Sequence, residues 1–241
     1  MGSHAKEELL ACVIAGLVGE AGHVAVGAAS PIPATACSLL RARGRPLRVS
    51  LLHKRKGNPF SDGSRELFDL AGQGRIDVFF LGGAQIDGEA NINLVRAEGR
   101  RFPGSFGSAF MYFAARRTIL FREEHSRRVL VPKVEFISAP GWSPPGVWRP
   151  GGPQALVTGK AVFSWQKDRR RFRLESVHPG NDLDEVRADT GFEFDCPATV
   201  PATIAPTSEE ITMLRGPVMR EIAASYPEFA RRVWPQRSAA A

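Results

Sequence analysis

The apolar run Ile76–Leu81 stops at Gly82–Gly83 and gives way to Ala84–Gln85–Ile86–Asp87–Gly88–Glu89–Ala90–Asn91–Ile92–Asn93–Leu94. A short, nearly continuous apolar run fits a strand buried on both faces, as in a parallel sheet. Glycines followed by small and amide-bearing residues fit the carboxyl end of such a strand, where open α/β sheets place their ligand crevice. Gly83, Gln85, Asn91 and Asn93 are therefore candidate binding residues. The amides either meet a ligand or close the turn with Asx-type bonds. Asp87 and Glu89 are the carboxylates of this segment. They serve as acid or base if desolvated, and turn capping is the other reading for Asp87.

Strands and helical segments alternate along the chain. Leu9, Leu10, Val13, Ile14, Leu17 and Val18 recur at three- and four-residue spacing and predict a helix over Glu7–Glu20. A short strand His23–Val26 follows, then Ser30–Pro31 and a helix over Ala34–Arg43. Leu47–Leu52 reads as a buried strand, Arg65–Ala71 as a helical turn and Arg75–Leu81 as the next strand. Farther on come a helix over Ala109–Ala115 and strands at Thr118–Phe121, Val129–Val131, Ala155–Val157, Ala161–Trp165, Arg171–Val177 and Phe192–Phe194. Asp182–Ala188 is a further helix, and Ser208–Arg232 is helical with breaks at Pro217 and Pro227. This order predicts an α/β fold, a mostly parallel sheet flanked by helices. The segment 140–152, dense in Pro, Gly and Trp, is a loop that acts as a lid or a partner-binding arm.

The 241 residues, 43% of them hydrophobic, fit one domain over residues 7–234, with 1–6 read as a tag or disordered start and 235–241 as a disordered tail. No stretch approaches the roughly 18–20 apolar residues of a membrane span, so a cytoplasmic location and no membrane contact are expected. Cys12, Cys37 and Cys196 lack the spacing of a zinc site or disulfide framework, and no metal is expected. The net charge of +7 is scattered over several clusters without a nucleic-acid-binding motif, so no nucleic-acid partner is expected.

Five landmarks resemble the beta-type half of the family I coenzyme A transferases, in the right order along the chain. They are the turn Gly27–Pro33, the segment Gly83–Asn93, the loop Phe102–Pro103–Gly104 with Gly107, the degraded match Gly159–Phe163, and the closing His178–Pro179–Gly180, Val186 and Thr190–Gly191–Phe192. The resemblance implies a CoA-transferase-like open sheet, a fold also used by sugar-phosphate isomerases. It implies an alpha-type partner subunit in an α2β2 complex, with the active site between the halves. Coenzyme A enters as part of an acyl-CoA substrate, with no tightly bound cofactor. Gly104, Ser105 and Gly107 correspond to the glycine loop whose backbone N–H groups form an oxyanion hole, although Gly104 and Gly107 also read as ordinary helix-entry glycines.

True transferases of this family attack the thioester with a glutamate placed just after the strand Leu47–Leu52. Here no Asp or Glu occurs between Glu20 and Asp62, and His53–Lys54–Arg55–Lys56 occupies the position. Imidazole and ammonium groups cannot form the acyl anhydride that a carboxylate forms. His53 is a candidate general base. Lys54 and Lys56 suit a carboxylate-bearing acyl-CoA and the stabilisation of enolate-like charge, or else form a solvated basic turn. Relatives that lack the glutamate hydrolyse a ring-derived acyl-CoA or decarboxylate an enoyl-CoA diacid. Three functions follow: a hydrolase, lyase or decarboxylase subunit; a true transferase with its nucleophile on the partner; and a non-catalytic ligand-binding subunit.

Overall fold

The structure, a computed structural model, describes residues 4–27, 29–52 and 60–235. Its contacts separate two compact units, Met1–Pro59 with Ile204–Ala241, and Phe60–Thr203.

The first unit begins with α1 (Lys6–Val18), β1 (His23–Val26), α2 (Pro31–Ala42) and β2 (Arg48–Leu51). β1 and β2 pair in parallel from His23 opposite Arg48 to Val26 opposite Leu51. All residues of β1 are buried, as a strand covered on both faces requires. α2 starts three residues before its apolar periodicity. Pro31 occupies its first turn, where a fixed φ and a missing N–H carry no penalty.

The second unit holds α3 (Ser64–Gly72), β3 (Val78–Leu81), the short pairs β4 (Gln85–Ile86) with β5 (Ile92–Asn93) and β6 (Arg96–Ala97) with β7 (Arg100–Arg101), then α4 (Ser108–Ala114), β8 (Arg117–Arg122), β9 (Pro153–Thr158), β10 (Ala161–Gln166), β11 (Arg171–Val177) and α5 (Leu183–Asp189). Its sheet runs β11-β10-β9-β8-β3. β3, β8 and β9 are parallel, and β10 and β11 turn antiparallel at the far side. The open, mostly parallel α/β architecture read from the sequence is present.

Two expected strands are absent from the sheet. At Val129–Val131, Ile86 donates to the Val129 carbonyl and accepts from Val131 N–H, so the segment pairs with β4 instead. Phe192–Phe194 is apolar because its rings pack on the sheet, Phe192 against Phe172 and Phe194 against Phe163. Among the described residues its bridge is the neighbouring Asp195 opposite Arg173.

The first unit is completed by α6 (Ser208–Met213), a wide turn at Leu214–Val218, α7 (Met219–Ser225) and α8 (Pro227–Val233). Pro217 supplies no N–H, and Gly216 departs from helical dihedrals, so the long C-terminal helix breaks where the prolines predict. These helices are fastened to α1 through Glu8, which is 1% exposed. Arg215 donates to both Glu8 oxygens at 2.7 and 2.8 Å, and the Trp234 indole donates at 2.9 Å. Burial raises the Glu8 carboxyl, but bonds from Arg215, Ala5 N–H and Trp234 outweigh it and hold the group below its ordinary range. Cys12 and Cys37 have their thiol pKa values pushed up to about 12, chiefly by burial, and behave as packing groups. Among the described residues no helix is long and apolar enough to cross a membrane.

Candidate active site

The strand β3 delivers the chain at Leu81 into a three-residue hairpin loop, Gly88–Ala90, closed between β4 and β5. Ala90 takes φ 59°, the left-handed residue that such loops need. Gly82 and Gly83 are required by close approach. A Cβ at Gly82 would lie 2.8 Å from the Phe121 carbonyl oxygen, and one at Gly83 would lie 2.7 Å from that of Gln85.

Asp87 organises the loop. Its Oδ1 accepts from Glu89 N–H at 3.1 Å and Asn91 N–H at 3.0 Å. Its Oδ2 accepts from the Asn91 amide at 3.2 Å and Val134 N–H at 3.3 Å. Burial lifts the Asp87 carboxyl above its ordinary pKa, opposed by these same hydrogen bonds. The side chain is 3% exposed and caps the turn.

The amides are occupied in the same way. Gln85 donates to Glu135 at 2.9 Å, while its oxygen accepts from Asn93 at 2.8 Å and from Glu135 N–H at 3.0 Å. The Asn93 oxygen accepts from Val95 N–H and Arg96 N–H. The Asn91 oxygen accepts from Gly141 N–H at 3.1 Å. Of the three amides, Asn93 makes Asx-type bonds, whereas Gln85 and Asn91 bond Glu135 and Gly141, distant in the sequence. Sequence reasoning missed Glu135, which joins the hairpin to Glu98 N–H, because nothing local marks a partner 50 residues from Gln85.

A second buried network holds the closing landmark against this hairpin. Thr190 donates its hydroxyl proton to the Val186 carbonyl at 2.7 Å. His125 stands between two hydroxyls, with Nε2 3.0 Å from Thr190 Oγ1 and Nδ1 2.7 Å from Thr158 Oγ1. Burial pushes the His125 pKa down to about 4, so the imidazole is neutral at pH 7. His178 donates from Nε2 to the Thr158 carbonyl at 3.0 Å, with Thr203 2.8 Å from Nδ1, and so has a structural position. Gly191 N–H bonds the Leu130 carbonyl at 2.7 Å. Phe192 then lies over Gly88, its Cβ 3.0 Å from where a Gly88 Cβ would stand.

The glycine loop contrasts with these buried networks. Gly104 has φ 100° and open space around it. Gly107 precedes α4, and a Cβ there would collide with the Phe68 ring. Phe106, between them, has φ 44° and is 86% exposed, its ring 6.0 Å from that of Phe68. The N–H groups of residues 104–107 form no hydrogen bond among the described residues. Gly107 also has the packing role of a helix-entry glycine. Beside this loop Arg96 and Arg101 lie directly opposite each other in the β6–β7 ladder, where like charges repel. With Glu135 they line an open cavity of about 910 Å³. His53, Lys54 and Lys56 lie outside the described residues.

The family model for coenzyme A transferases matches residues 45–189, well over half of the chain. The chain belongs to the coenzyme A transferase family. Within that family it is 33% identical over 162 residues to a 3-oxoadipate CoA-transferase subunit of Pseudomonas knackmussii, covering 63% of this chain and 62% of that protein. It is 28% identical over 163 residues to the cholesterol ring-cleaving hydrolase IpdB subunit of Rhodococcus jostii, again with 63% and 62% covered. This CoA transferase family chain therefore spans less than two thirds of either relative's length. Among solved structures, the decarboxylase AibA/AibB superposes with TM-score 0.72 at 25% identity, over 88% of this chain and 94% of that one.

Proposed function

We propose that this chain is the beta-type subunit of a heteromeric enzyme that acts on an acyl-CoA thioester by hydrolysis, carbon–carbon cleavage or decarboxylation. One observation carries the reading: the nucleophile position falls in a stretch without carboxylates, Glu20 to Asp62. Asp87 is no substitute, since it is occupied by four hydrogen bonds. In this reading the free N–H groups of residues 104–107 receive the thioester oxygen, where fixed donors stabilise developing negative charge. Arg96 and Arg101 meet the CoA phosphates. His53, Lys54 and Lys56 bind a carboxylate-bearing acyl group and relay protons. The alpha-type partner completes the site, and no tightly bound cofactor takes part.

A second reading has one specific support. The relative with 33% identity is a CoA-transferase subunit, so transfer with a nucleophile from the partner is the alternative. Coexpression with an alpha-type subunit, followed by incubation with acyl-CoAs with and without acetate or succinate, separates the two. Mass spectrometry that shows free CoA, or CO2 loss from an intact thioester, without any acceptor supports the proposal. CoA on the added acid, with a borohydride-trapped glutamyl adduct on the partner, overturns it in favour of transfer.

A further inference from the structure

The loop 140–152 forms a wall that the proposed chemistry does not use. It encloses a cavity of about 570 Å³ together with the first residues of β8 and β9 and the turn after β10. β3, β8 and β9 are parallel, so this cavity opens at their amino ends, whereas the crevice hairpin leaves the carboxyl end of β3. It is a separate place on the molecule.

The wall is built rather than incidental. Arg149 donates to the carbonyls of Gly151 at 3.1 Å, Pro140 at 2.8 Å and Tyr112 at 3.0 Å, and lies 4.9 Å over the Tyr112 ring. Gly151 admits no Cβ, because the Ala115 carbonyl fills its place. The lining combines Trp142, Trp148 and Trp165 with Arg149, Lys167 and Arg170.

These cations stand apart from their neighbours. Arg169 and Arg171 pair with Asp195, and Arg173 pairs with Glu175. Arg116, at the cavity edge, pairs with Asp77 at 3.5 Å. Arg149, Lys167 and Arg170 have no carboxylate partner among the described residues. Among the described residues, Asp168 is the sole acidic one in the lining. Arg170 adopts φ 50° in its turn and sets its guanidinium 3.9 Å over the Trp142 ring, with its edge left for an anion. Trp148 leaves its ring 78% exposed at the rim.

We infer that this cavity binds a planar-ringed phosphate ester, of the nucleoside phosphate class, with its ring on Trp148 and its phosphate on Arg170 and Lys167. The volume lies within the roughly 300–1,000 Å³ of small-molecule sites, and a bare inorganic anion would leave the tryptophan wall without a partner. Guanidinium groups suit phosphate, and an indole face suits a base. The site does not depend on the acyl-CoA reading of the crevice.

The test is calorimetric titration of the full-length chain, alone and with its alpha-type subunit, using ADP, 3′,5′-ADP, adenosine and inorganic phosphate. Saturable binding of ADP or 3′,5′-ADP, at least tenfold tighter than adenosine or phosphate, is expected. Trp148→Ala and Arg170→Ala, both at the exposed rim, are each expected to weaken it at least tenfold with the circular-dichroism melt unchanged. Preference for 3′,5′-ADP would identify the nucleotide end of CoA as the source, and preference for ADP a free nucleotide. Absence of saturable nucleotide binding, or binding that both variants leave intact, would overturn the inference.

Discussion

The crevice hairpin and the glycine loop lie close in the sequence, and both carry family landmarks, yet their chemistry is opposite. In the hairpin, Asp87, Gln85, Asn91 and Asn93 are at most 4% exposed, and their polar atoms bond one another, Glu135 or backbone. In the loop, the N–H groups of residues 104–107 have no partner among the described residues and Phe106 stands 86% exposed. Side chains that resemble ligand-binding groups are engaged with the protein, and the polar groups left without a partner are main-chain atoms. A low-dielectric interior makes the first arrangement rigid.

The contrast breaks most readily at Asp87. Asp87→Ala removes the acceptor for Glu89, Asn91 and Val134 N–H together. Orphaned buried donors cost about 1–3 kcal/mol each, so a loss on the order of 4 kcal/mol is expected in urea unfolding. Asp87→Asn, which keeps one acceptor oxygen, should lose about half as much. A loss below about 1 kcal/mol for the alanine variant would mean that the network does not hold the hairpin.

His125 tests the clamp from the other side. Its folded pKa of about 4 lies below the ordinary 6.5, so the neutral form is favoured by folding. That contribution is fully present above pH 6.5 and is lost as the pH falls from 6.5 toward 4. The full span corresponds to about 3 kcal/mol. Unfolding measured at pH 7 and pH 5 should show the loss in the wild-type chain. His125→Gln, which cannot take up the proton, should flatten that part of the profile while lowering stability at pH 7. An unchanged slope in the variant would move the acid sensitivity elsewhere.

The sequence carried the architecture because each element repeats its own signal. The apolar run into β3, Pro31 at the start of α2 and the prolines of the C-terminal helix all act locally. Val129–Val131 and Phe192–Phe194 misled for the same reason, since their apolar residues serve packing and a hairpin bridge that local pattern cannot distinguish from a sheet strand. In the crevice, residue types were legible and their partners were not. The Gln85–Glu135 and His125–Thr190 contacts span 50 and 65 residues. Phe106 gave no signal at all, because a left-handed φ on a bulky residue is visible only in three dimensions.

Phe106 therefore gives the smallest structural effect and the sharpest functional one. Relief of its φ of 44° by Phe106→Gly removes strain of about 1–2 kcal/mol. Loss of the ring contact with Phe68, 6.0 Å away, forfeits about 0.5–1.5 kcal/mol. The two nearly cancel, so stability should change by less than about 1 kcal/mol in either direction. If the loop receives the thioester, the exposed ring offers the acyl group an apolar surface. The complex with an alpha-type subunit should then bind CoA unchanged and octanoyl-CoA several-fold more weakly. A stability loss above about 2 kcal/mol would instead make Phe106 a structural anchor, and the loop would resemble the hairpin. Unchanged stability with unchanged binding of both ligands would leave the open N–H groups without the acyl-CoA role proposed for them.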